Sequence, residues 1–234
     1  MYKHKFLLTV LFGLGGCCLI PAAGATPLLP GQFLVVPNLN VTGETGSLIA
    51  STPVGGISYD TEPTCNDICG SITEGVYRES GGTLDFVYQF SNRGPSGTDV
   101  ISMSNYAPFP IPNQFSTDVQ YSDAVPVDNG AGLFLLPLGA NGTNPNPTVT
   151  NRTANGRTVS YNFSGTQGES AILIVKTNAL FYEPGTASIH NDAGTPALAG
   201  FFAPVPEPGF YGVLAIGLAA VVLAGKFVKR PTLS

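Results

Sequence analysis

The chain has 234 residues, enough for one medium domain with additional segments, and only 11% of them are charged, against roughly a quarter in an average soluble domain. Gly (29) and Pro (20) stop short of a disordered composition, and 10% aromatics leave apolar matter for a core. Between residues 26 and 205 five basic residues face fourteen carboxylates, a net charge of −9; such a surface repels phosphate backbones and excludes nucleic acid as a partner.

The first 25 residues have the layout of a secretory signal. "MYKHK" is a basic start, "FLLTVLFGLGGCCLI" an apolar run of fifteen residues, and "PAAGA" places Ala23 and Ala25 in the A-x-A arrangement that signal peptidase reads. Cleavage is expected after Ala25. "LGGC" (14–17) offers a rival reading as a bacterial lipobox, in which Cys17 would become the lipidated first residue.

Residues 26–203 read as an all-β domain built from short strands separated by turns. Candidate strands in chain order are "GQFLVVP", "TLDFVYQFS" (83–91), "TDVISMS", "GLFLLPL", "RTVSYNFSG", "SAILIVKTN" (170–178) and "TASIH". In 83–91, Leu84, Phe86, Tyr88 and Phe90 alternate with Asp85 and Gln89, the pattern of a half-buried strand. Val159, Tyr161 and Phe163 repeat it, whereas 171–175 is apolar on both faces and predicts a central strand. Gly81-Gly82, Gly94-Pro95, Asn129-Gly130, Asn141-Gly142 and Asn155-Gly156 supply turn chemistry. Eight to eleven strands at this spacing predict an antiparallel β-sandwich, of which a jelly roll is one form.

Chemistry-bearing residues are few. Cys65 and Cys69 in "PTCNDICG" are an isolated pair, which in an oxidising compartment points to a disulfide closing a tight loop; free thiols are the alternative. Zinc would need two more ligands, and His190 is the sole histidine after the signal. It lies in "SIHNDAG", read as a solvated strand end, and no G-x-S-x-G elbow accompanies it. Asp60, Glu62 and Asp67 cluster in "YDTEPTCND" without the spacing of a calcium loop, and read as a solvated acidic loop. No metal or cofactor is expected, and no catalysis. Asn40, Asn141, Asn151 and Asn162 head Asn-x-Ser/Thr triplets, which in a bacterial protein read as ordinary turn and strand residues.

The end of the chain changes character. "GFYGVLAIGLAAVVLAG" (209–225) is seventeen residues without a charge, at the short limit for a transmembrane helix. Phe210 and Tyr211 stand where an interfacial belt would be, and Lys226, Lys229 and Arg230 form a cytoplasmic stop. A GPI signal fits poorly, because basic residues follow the apolar run.

Val205-Pro206-Glu207-Pro208, the apolar run and the basic end, in that order behind a signal peptide, resemble a bacterial PEP-CTERM sorting domain. The same tail is also known under an ice-binding C-terminal label, but the body lacks the Thr-x-Thr array that ice binding would need. The likeness is strongest over 205–230 and extends weakly upstream, where residues 175–208 resemble the closing strands of such surface proteins. It implies cutting near Pro206-Glu207-Pro208 by exosortase, membrane anchoring through 209–225 until then, and delivery to the cell surface or extracellular matrix, with exopolysaccharide as a possible partner. Pro204, Pro206 and Pro208 would hold this segment extended for the protease. Two functions are carried forward: a structural or adhesive surface domain, and a carbohydrate-binding or carbohydrate-active domain on the same scaffold.

Overall fold

The computed structural model describes residues 25–38, 44–59, 64–106, 116–191, 197–205 and 216–219. The strands in chain order are β1 (Thr26–Pro27), β2 (Phe33–Leu34), β3 (Ser47–Ser51), β4 (Ile57–Ser58), β5 (Gly70–Arg78), β6 (Leu84–Asn92), β7 (Thr98–Ser104), β8 (Thr117–Ser122), β9 (Leu138–Gly139), β10 (Val149–Arg152), β11 (Thr158–Thr166), β12 (Gly168–Glu169), β13 (Ile172–Thr177), β14 (Phe181–His190) and β15 (Leu198–Val205). Five of them are two-residue pieces. Helix among the described residues is limited to 216–219, and no described helix is long and apolar enough to cross a membrane. Most of residues 1–25, expected as a signal, and of the apolar run at 209–225 lies outside the described residues.

The strands form two antiparallel sheets. In the first, β1, β8, β13 and β6 are neighbours; β5 takes the other edge of β6 and carries β3 and β4, while β12 pairs with the end of β6 and with β9. The second runs β15–β14–β7–β11–β10–β2. Hairpins close where the turn residues lie: Gly81-Gly82 between β5 and β6, and Asn155-Gly156 between β10 and β11, with Gly156 in the left-handed region at φ 72°.

Alternation places one apolar face of each sheet against the other. Phe86, Tyr88 and Phe90 of β6 and Leu173 and Val175 of β13 share a core with Ile101 and Met103 of β7, Val159, Tyr161 and Phe163 of β11, and Ile189 of β14. Phe90 and Phe163 meet edge to face at 5.0 Å across the two sheets. The Tyr161 hydroxyl crosses the same gap, 2.8 Å from the Ile174 carbonyl and 3.2 Å from that of Gln120.

Two expectations are corrected. The 83–91 strand is not half-buried: every residue of β6 is buried, Asp85 and Gln89 included. A second cluster covers its outer face, where Leu133 and Phe134 pack on Tyr77, Val87, Ile172 and Ile174. The covering segment is "GLFLLPL", expected as a strand, of which only Leu138 falls in one. Two of its amides are taken by side chains instead of a ladder: Phe134 N–H donates to Asn129 Oδ1 (2.7 Å) and Leu135 N–H to Gln89 Oε1 (2.8 Å). Likewise "GQFLVVP" keeps only Phe33 and Leu34 in a strand.

The domain has two ends. At one, Gly70, Asn92, Thr98, Thr166 and Asn191 come together, tied by Asn92 Nδ2 to Thr98 Oγ1 and by Asn191 Nδ2 to Asp67 Oδ1. At the other are Arg78, Leu84, Thr177, Thr117 and Phe181. Phe90→Ala removes the ring that joins the sheets and leaves a cavity, and should cost about 3–5 kcal/mol; a guanidinium unfolding midpoint unchanged from the parent protein would contradict the packing described.

Candidate functional site

β15 is an edge strand, and its last residue, Val205, is the first of the Val205-Pro206-Glu207-Pro208 segment expected to be a sorting motif. Val205 pairs with Phe181 and Pro204 with Tyr182, so β15 continues to Val205. Pro206, Glu207 and Pro208 follow directly, outside the described residues, as do Lys226, Lys229, Arg230, Ala23 and Cys17. Ala25, half-buried, immediately precedes β1.

Cys65 and Cys69 are joined as a disulfide with Cα atoms 5.5 Å apart, and Cys65 takes a left-handed φ of 51° to close the loop. The loop seals one end of the domain. Arg93 N–H donates to the Cys69 carbonyl at 2.8 Å, and a Cβ on Gly94 would collide with the Asp67 carbonyl. Asp67 does not act as part of an open acidic loop: its carboxylate accepts from Asn191 at 2.6 Å. Asp60 and Glu62 lie outside the described residues. His190 ends β14 opposite Val100, half-buried.

Two groups of ionisable residues escaped the sequence reading. Glu74, on β5, points into the core between the sheets and is wholly buried. One carboxyl oxygen, Oε2, accepts the Phe202 N–H of β15 at 2.7 Å, a tie between sheets, while the buried Oε1 has no hydrogen-bond partner. Opposite it Tyr88 shares a 2.7 Å hydrogen bond with Tyr106. Burial pushes Glu74 up to about 8, with the Phe202 N–H pulling the other way. The second group surrounds Lys176 Nζ on the outer face of the first sheet, with Asp85 at 2.5 Å, Glu79 at 3.0 Å and Glu44 at 3.5 Å. The three carboxylates stand within 4.8 Å of one another, as a cation would require, and the Lys176 ammonium is in contact with all three.

An open cleft of about 650 Å³ lies at the end of the domain away from the disulfide, bordered by Leu28, Thr117, Asp118 and Arg152. Arg152 is buried with no carboxylate partner among the described residues and donates to the carbonyls of Gly156 (2.9 Å), Leu28 and Tyr106 (both 3.3 Å). Its charge is spent on holding three segments together. Exposed aromatics do not line up as a sugar-stacking row among the described residues: Phe33 on β2 and Phe181 and Tyr182 on β14 stand toward opposite edges of the second sheet.

Compared with protein-family models, curated proteins and solved structures, the chain finds no significant match.

Glu74 makes a pH signature. Between about pH 4.5 and 8 the native protein keeps a proton on Glu74 that the unfolded chain has released, so stability falls as pH rises through that window, by on the order of 4–5 kcal/mol. Asp85, also raised by burial, acts in the same direction. Glu74→Gln should therefore flatten the stability profile above pH 4.5 without abolishing its slope, as measured by denaturant unfolding at several pH values.

Proposed function

We propose that the protein is an exported bacterial surface or matrix protein: a non-catalytic, structural or adhesive β-sandwich sorted by a PEP-CTERM tail and cut by exosortase. One observation carries this reading. The motif Val205-Pro206-Glu207-Pro208 starts on the last residue of edge strand β15, so a cut after Val205 would leave every strand of both sheets whole. A protease needs an extended stretch, and Pro206 and Pro208 each disfavour helix in the residue before them. The Cys65–Cys69 disulfide suits an oxidising compartment. The two sheets packed face to face support the β-sandwich assignment. Signal peptidase would remove residues 1–25, and 209–225 would anchor the chain until exosortase acts.

Removal of residues 206–230 tests the proposal without touching β15. In a host with exosortase, the full chain should be processed and retained at the cell surface, and the shortened protein should appear folded in the medium. Equal surface retention of both forms would sink the sorting assignment.

A further inference from the structure

Lys176 is the sole lysine between residues 26 and 205, and it stands directly opposite Asp85 in the β13–β6 ladder and opposite Asp118 in the β13–β8 ladder. Both contacting strands are central to the sheet, so the amine and the Asp85 carboxyl are held together by backbone pairing and not by side-chain chance. Nζ is 2.5 Å from Asp85 Oδ2, and Asp85 is 1% exposed. Glu79, from the β5–β6 turn, reaches the same Nζ at 3.0 Å, and Glu44 at 3.5 Å. Three carboxyl groups around one amine are more than neutralisation requires.

Amide formation between lysine and aspartate needs a deprotonated amine, a protonated leaving oxygen, and a group that moves protons between them. Fixed juxtaposition supplies the large effective concentration that a free pair in water lacks. Burial, reinforced by the Glu44 charge, raises Asp85 above the ordinary aspartate range and favours its protonated form, against the pull of Lys176. Burial disfavours the Lys176 ammonium while ionised carboxyl groups around it favour it, so loss of its proton needs a carboxylate in contact to receive it. Glu79 is that acceptor: burial pushes it up, yet its hydrogen bonds to Glu44, Lys176 and Asp85 keep it below the ordinary value and ionised.

We propose that Lys176 and Asp85 join in an intramolecular isopeptide bond, with Glu79 as the proton relay. Glu79 Oε1 takes one proton from the ammonium. The amine attacks Asp85 Cγ, an Nζ–Cγ bond forms, and the Cγ–Oδ bond to the protonated oxygen breaks. The departing hydroxyl takes a second nitrogen proton, relayed through Glu79, and leaves as water. The first proton stays on Glu79 until solvent removes it. No oxidant or cofactor enters, and β6 and β13 become covalently joined on the face covered by the 133–135 segment.

Tryptic peptides of the purified full-length protein, denatured and reduced before digestion, decide the matter. Residues 79–93 are expected joined to the peptide that contains Lys176, one water lighter than the two together, with no cleavage after Lys176. Recovery of 79–93 and 158–176 as free peptides from folded protein overturns the proposal. Lys176→Arg, which keeps the charge, should abolish the joined species, and its persistence would overturn the assignment of the amine. In Glu79→Gln, sampled by the same digest at intervals after expression is induced, the joined species should accumulate about 100-fold more slowly; accumulation at the parental rate would overturn the relay.

Discussion

The burial of β6 along both faces is the constraint that organises this molecule. A strand closed on one side by the opposite sheet and on the other by the 133–135 segment cannot leave a polar side chain to water, and an unpaired one would cost on the order of 1–3 kcal/mol. Each therefore recruits a neighbour. Gln89 pairs with both backbone groups of Leu135 and with the Ser170 carbonyl. Ser91 donates to Glu169 at 2.8 Å, and Asn92 donates to Ser96 and Thr98 while accepting from Gly94. Asp85 recruits Lys176. The loops around the first sheet are where they are largely because these side chains hold them.

The same constraint explains what was legible in the sequence. The strands with clean alternation, 83–91 and 157–165, and the doubly apolar run at 171–175 are all present as strands, because period-two patterning reports the inner face directly, although it did not show that the other face of 83–91 is covered too. Glycine and asparagine turns were equally plain. What stayed hidden was the second covering layer. "GLFLLPL" has the composition of a strand, and nothing local shows that Asn129 and Gln89 will satisfy its amides. "GSITEGVYR" went unread as β5 because Glu74 and Gly75 interrupt its apolar pattern, and Glu74 turns out to face the core.

Of the candidate sites, the disulfide pair needed only four-residue spacing. The Lys176 cluster draws on the segments around Glu44, Glu79, Asp85 and Lys176, and no window contains more than two of them. Two signals were nonetheless present: one lysine in a long acidic stretch, and an aspartate in the middle of an aromatic strand. Buried ion pairs are seldom a stability device in themselves, since desolvation consumes much of the attraction. A cluster whose members are also positioned to react gives such an arrangement a different meaning.

The exit of the chain at Val205 carries an orientational consequence. β15 runs away from the disulfide corner and ends beside Phe181, at the same end as Thr117, Thr177 and the Arg152 cleft. On the proposed anchoring, that end is proximal to the bilayer, and the Cys65–Cys69 loop is the distal tip. The most cross-braced corner of the domain would then be the part that neighbouring cells and matrix polymers meet first, with the Lys176 carboxylates held near the membrane.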